Sequence, residues 1–213
     1  GLMQTFEAES LVETGNLQIQ GPPLSLKGTG TIIGFIDTGI RYQLDVFKNE
    51  SGGSRILSIW DQTIQSGEPP EGFLYGTEYT REEIDRALQS QNPLDVVPTT
   101  DENGHGTAMA STAAGSILDQ GLTFRGAAPE ADIAVVKLKD AKKHLREYYL
   151  VADDAEAYQE NDIMQAVRYL ENMAIVFRRP VVIVLGIGTN MGDHAGSSPL
   201  GVYLNKIAAR RSR

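Results

Sequence analysis

The chain has 213 residues and 41% hydrophobic content, enough to bury a real core in one large domain or two small ones. A formal net charge of −9 and a pI near 4.8 argue against nucleic acid or an anionic membrane surface as the main partner, since either demands a basic patch. Cysteine is absent, which removes disulfides, thiolate metal sites and a cysteine nucleophile, and the apolar runs are too short to span a bilayer. The first residues lack the basic-then-apolar layout of a secretion signal, and the compartment is not legible.

Residues 1–20 carry a loose helical pattern through Leu2, Phe6, Leu11 and Leu17, broken at Gly21, Pro22 and Pro23. Gly28 and Gly30 precede a strand rather than follow one, so they do not form a phosphate-cradling loop. Ile32, Ile33, Phe35 and Ile36 then read as a fully buried parallel strand that stops at Asp37, with Gly39 making the turn. After a Gly/Ser-rich loop at Ser51 to Ser54, Arg55 to Trp60 is a second strand. Thr80 and Glu83 form a capping box that opens a helix to about Gln89, with Pro93 as its end. Asn103 and Gly104 make a turn, and His105 begins a small-residue run, Gly106 to Ala114, that packs closely as a helix.

Gly126 to Pro129 is a further turn before the buried strand Asp132 to Leu138. Residues 139–160, charged and bearing Tyr148 and Tyr149, are longer than a usual αβ connection and are expected to be an insertion, a solvated hairpin or lid base. Ile163, Met164, Val167, Leu170 and Val176 predict the core face of a helix from Asn161 to Arg178, which Pro180 stops. Val181 to Leu185 is the last buried strand, followed by Gly186, Ile187, Gly188, Thr189 and Asn190; the glycines would admit a peptide as an added strand, or simply make a turn. Strand and helix alternate, which predicts an α/β, doubly wound, mainly parallel sheet with helices on both faces.

An acid at a strand's carboxyl end lies where open α/β sheets bind their ligands. An Asp there and a downstream His at a helix start are what a triad needs from its orienting acid and general base, and Asp37 and His105 stand 68 residues apart in that order. The tetrapeptides D-T-G-I and G-H-G-T resemble those of the subtilisin-like serine proteases, the subtilases, whose chain order is Asp, His, Ser. RILSIWDQT, GTEYTREEI and VVPTTDENGHGT resemble in particular the subgroup that includes the germination proteases of spore-forming bacteria, and GAAPEADIAVVKL is similar to the segment that follows the His helix.

The resemblance implies a subtilisin-like fold, serine endopeptidase chemistry on a peptide or protein substrate, catalytic roles for Asp37 and His105, and substrate pairing along Gly186, Ile187 and Gly188. It implies no cofactor. Metal binding is not expected either, because Val46 holds the position of the acid with which many subtilases grip calcium, and Asp45 is one residue out of register. Only 108 residues follow His105, whereas the family's nucleophile comes about 150 residues after it. No Gly-Thr-Ser-Met-Ala-like motif is present; Ser198 before Pro199 reads as an N-cap of the helix Pro199 to Arg210, and Asn190 sits on the wrong element for an oxyanion donor. The expectation is therefore a single subtilisin-like domain over 1–213 cut short on its C-terminal side, inactive alone, whose partners are a substrate and the missing half of the domain, with neither nucleic acid nor membrane. Two other readings stand: a non-catalytic peptide-binding relative, and an unrelated doubly wound domain using Asp37 as a metal or phosphoryl acceptor.

Overall fold

The computed structural model describes residues 17–119, 123–189 and 195–210. Most of the 1–20 pattern and Asn190 lie outside the described residues; α1 covers Leu17–Gln20, whose Gln20 amide donates to the carbonyls of Gly126 and Ala127. The apolar runs become strands because each is buried on both sides: β1 (Ile32–Asp37) and β2 (Ile56–Asp61) are buried at every residue, and β6 (Asp132–Lys137) at all but its first. With β7 (Val181–Leu185) and the short β3 (Thr77–Thr80) they make a five-stranded sheet in the order β3-β2-β6-β1-β7. Only β3 is antiparallel, so the sheet is mixed and mainly parallel.

Side chains alternate along each strand and so divide the core in two. Ile33 and Phe35 of β1 point with Ile133, Val135 and Ile59 toward α2 (Arg81–Leu88) and α4 (His105–Ala114), meeting Ile84, Ala110 and Ala114. Ile32 and Ile36 point the other way with Val136 and Trp60, toward α6 (Glu160–Phe177), where Ile163, Val167 and Leu170 receive them, and α7 (Pro199–Ala208) packs its partly buried Leu200 and Tyr203 against the same cluster. Helices cover both faces, as the alternation of elements predicts. Between α4 and β6 the short β4 (Leu118–Asp119) and β5 (Thr123–Phe124) pair antiparallel, a ribbon too brief to read from sequence.

Three readings need correction. Val176 is not core: at 100° per residue it lies about 140° around the helix from Ile163, and it is 72% exposed beside the exposed Ile175 and Phe177. Pro93 does not end the capped helix, which stops at Leu88; it opens the one-turn α3 (Pro93–Val96), because the first helical position needs no N–H. The 139–160 segment is not a strand hairpin. Its base is closed by the Ala141 N–H on the Ala157 carbonyl at 2.7 Å, it contains α5 (Lys143–Tyr148), and Arg146 donates to the carbonyls of Ala152, Asp153 and Ala155, folding the loop on itself.

The amino ends of the strands carry an unusual cation. Arg55 is buried and donates to the carbonyls of Ala114 and Ala131 and to Ser116 Oγ, so it satisfies the last carbonyl of α4. Burial pushes its guanidinium down to about 10, which leaves it charged at neutral pH. At the sheet's other margin β7 has no strand on its outer side among the described residues, and Val182 is exposed there.

Leu170→Ala, which empties a fully buried site between α6 and the sheet, is expected to cost about 2–5 kcal/mol in urea unfolding, whereas Val176→Ala should stay within about 0.5 kcal/mol.

Candidate active site

Three parallel strands end side by side, and their registers align Asp37, Lys137 and Asp61 in one row along the sheet's carboxyl edge. Asp37 is 1% exposed. Its Oδ1 accepts from the Thr38 N–H at 2.7 Å and lies 2.7 Å from His105 Nδ1, so the two residues singled out from sequence are brought into direct contact. The His105 side chain is 21% exposed. Burial raises the Asp37 carboxyl above its usual range, against the lowering pull of His105 and the Thr38 amide.

What holds the imidazole there is a junction between the end of β1 and the start of α4. Asp101 is fully buried and accepts from Thr38 Oγ1 at 2.8 Å, from the Gly104 N–H at 2.9 Å, and from both the N–H and the hydroxyl of Thr107 at 2.8 and 2.6 Å. Thr38 Oγ1 in turn accepts from the Gly106 N–H at 3.0 Å. The N–H groups of Gly104, Gly106 and Thr107 at the start of α4 are thereby satisfied by one carboxylate and one hydroxyl, both tied to the end of the strand that carries Asp37. Burial alone would raise Asp101, but the donors of Thr107, Gly104 and Thr38 outweigh it and hold the carboxyl below its usual range. Gly106 permits the close docking, since a Cβ there would strike the Gly39 carbonyl.

Asn103 works on both sides of the turn: its Oδ1 accepts from the His105 N–H at 3.1 Å, and its Nδ2 donates to Glu156 Oε1 at 2.6 Å. Lys137 is buried and donates to the Thr100 carbonyl and Glu102 Oε2, both at 2.7 Å.

The predicted peptide strip divides into three environments. Gly186 is buried against the pair, and a Cβ on it would overlap Asp37 Oδ2 and come within 3.2 Å of His105 Cε1. Ile187 packs into the α6-side cluster, and Gly188 is exposed. Asp37 Oδ2 itself is buried with no hydrogen-bond partner among the described residues. Ser198 is the N-cap of α7, accepting from the Gly201 N–H at 3.1 Å with Pro199 behind it. Val46 is buried in the core, and Asp45 is paired with Lys48 at 2.8 Å.

Sequence reasoning passed over Asp101 and Thr38. The available signal was the Asp four residues ahead of His105 and the hydroxyl directly after Asp37, both of the type that caps helices.

A buried Asp orienting a His at the carboxyl edge of a parallel sheet is an acid–base pair of the kind hydrolases use. Residues 28–175 match the profile of the subtilase family, a peptidase S8 group, and the chain belongs to that family. It is 32% identical over 154 residues to the Arabidopsis thaliana subtilisin-like protease SBT3.6, an alignment covering 65% of this chain and 19% of that protein. It is 35% identical over 127 residues to SBT3.10 of the same plant, covering 52% and 16%. The solved Clostridium perfringens CspB protease superposes with a TM-score of 0.76 at 27% identity, covering 95% of this chain and 39% of that one. The chain thus spans about a fifth of the length of these plant relatives and about two fifths of the solved protease.

The sign of the Asp101 effect on stability follows from its lowered carboxyl. Its contribution is complete above the unfolded-state value and is lost as pH falls through the folded one. Asp101→Asn should cost about 2–3 kcal/mol at neutral pH, by facing an amide toward N–H donors, and should flatten the acid limb of stability against pH measured by denaturant unfolding. Gly186→Ala should cost about 1–3 kcal/mol by the same measurement and displace the Asp37 carboxylate, read as loss of the hydrogen-bonded His105 Nδ1 proton resonance.

Proposed function

We propose that this chain carries the general base and orienting acid of a serine endopeptidase, as part of one subtilisin-like domain whose nucleophilic serine lies in polypeptide beyond these residues. The observation that carries the reading is the 2.7 Å pairing of His105 Nδ1 with a buried Asp37 carboxylate at the end of a parallel strand. With Nδ1 held by Asp37, the tautomer that leaves Nε2 free to accept a proton is favoured. His105 takes the serine hydroxyl proton as oxygen attacks the peptide carbonyl, then returns it to the departing amine. Asp37 holds the ring and stabilises the imidazolium without itself being protonated.

The substrate is a peptide or protein, laid along the Gly186, Ile187 and Gly188 strand end so that its backbone joins the sheet. The chemistry of the residues calls for no metal and no cofactor. Nucleic acid and membrane are not partners in this reading, which the net charge of −9 supports; among the described residues no helix is long and apolar enough to cross a membrane. The GTEYTREEI and VVPTTDENGHGT segments support a place in the germination-protease subgroup. The phosphoryl-acceptor alternative is disfavoured because Asp37 is buried and one of its oxygens is already engaged. A non-catalytic relative would keep the peptide strip and lack the serine.

The 213-residue chain alone is expected to leave peptide substrates uncut. In the full-length parent, a serine-directed phosphonate should label a residue outside this chain, and His105→Ala should lower kcat/KM by about 10⁴-fold or more. Phosphonate-sensitive turnover by the chain alone, or a parent that neither labels nor cleaves, would remove the proposal.

A further inference from the structure

Beside the acid–base pair lies a cavity of about 300 Å³, whose walls come from the strand ends, the turn before α4 and the returning end of the 139–160 loop. Thr38, next to Asp37, lines it, and so does Asn103, which holds the His105 amide. Its ionised lining consists of Glu102, Lys137, Asp140 and Glu156. Lys137 is the single cation among these, and its ammonium is taken by Glu102 and by the Thr100 carbonyl. Glu156 meets only neutral donors, the Asn103 amide at 2.6 Å and the Tyr158 hydroxyl at 3.3 Å. The cavity therefore keeps two carboxylates, Asp140 and Glu156, that its own cation does not neutralise.

Tyr158 lines the same cavity, and its hydroxyl donates to Glu156 Oε2. Its phenol is half-buried, and burial first, then the charges of Glu156, Asp140 and Asp37, raise it above its ordinary value. The Tyr158 ring in the cavity wall beside Glu156 also offers a surface on which a cation stacks favourably.

Building on the peptidase reading, we propose that this cavity binds a cationic side chain, a guanidinium or alkylammonium, of the peptide that lies across the pair. The volume accommodates one extended side chain with its hydration. Arginine is favoured over lysine, because its planar fork can bond Glu156 and Asp140 together while lying against the Tyr158 ring. The 139–160 loop is then a specificity element: pinned at its base by Ala141 and Ala157, it delivers Glu156 and Tyr158 to within one side chain of His105 through Asn103. Both acids stand at the rim rather than in the core, so the preference should shrink with salt.

The test compares two acetylated peptide amides that are identical except for one residue, arginine or its neutral isostere citrulline. Binding to the 213-residue chain is followed by NMR titration at low and high salt. The arginine peptide is expected to bind at least about fivefold tighter and to move the Asn103 side-chain amide and Tyr158 resonances. In Asp140→Asn/Glu156→Gln the difference should vanish while the spectrum stays that of a folded protein, because the amide introduced in place of Glu156 still offers a carbonyl to Asn103. Equal affinity for the two peptides, an arginine preference that survives the double variant, shifts confined to another surface, or no binding of either peptide would each overturn the inference. Serine labelling and cleavage by the parent do not depend on this charge, so failure here is separable from failure of the peptidase reading.

Discussion

The buried Asp101 carboxylate is the constraint on which the geometry turns. A strand end and a helix start are each poor at fixing a side chain alone, since one ends in a turn and the other begins with unsatisfied N–H groups. Here one carboxylate and the Thr38 hydroxyl bind both to each other, so that the direction of β1 sets the position of His105. The short bond between His105 and Asp37 is then a consequence of backbone docking rather than a contact that two flexible side chains must find. Such preorganisation is what an acid–base pair requires, because misplacement of the ring by an ångström is costly to proton transfer.

The same helix is held at both poles by groups of the appropriate sign. The amino end of α4 meets the anion of Asp101, and its carboxyl end meets the buried guanidinium of Arg55, which donates to the Ala114 carbonyl there. The helix dipole favours both placements. Because Arg55 also holds the Ala131 carbonyl ahead of β6, the helix is locked to the sheet along its whole length, and small residues such as Ala110 and Ala114 let it sit close.

The sheet was legible because its strands are buried on both faces: IIGFID, ILSIWD and DIAVVK declare themselves as mostly apolar runs, and their common carboxyl edge follows from parallel pairing. The capping box at Thr80 and Glu83 was equally readable, since both halves of the motif are local and both bonds form. β3 was not, because T-E-Y-T owes its strand form to pairing with β2 rather than to any pattern of its own. Asp37 and His105 were legible as a pair through their tetrapeptides, while the structural role of Asp101 was not. Its importance lies in what Thr38 and Thr107 do from elsewhere in the chain, which spacing alone does not encode. The 139–160 loop was visible as an excess of length and charge, but the return of its end to the site through Glu156 rests on a bond to Asn103 across 53 residues.

The flank of β7 has a different kind of consequence. Among the described residues no strand pairs with the outer edge of β7, and Val182 on that strand and Ile175, Val176 and Phe177 at the end of α6 are exposed, so backbone donors and acceptors and greasy side chains together offer what other chains can template upon. Handled in isolation at high concentration, the polypeptide would be prone to clump sideways, and its shelf life would be governed by colloidal behaviour more than by the strength of its core.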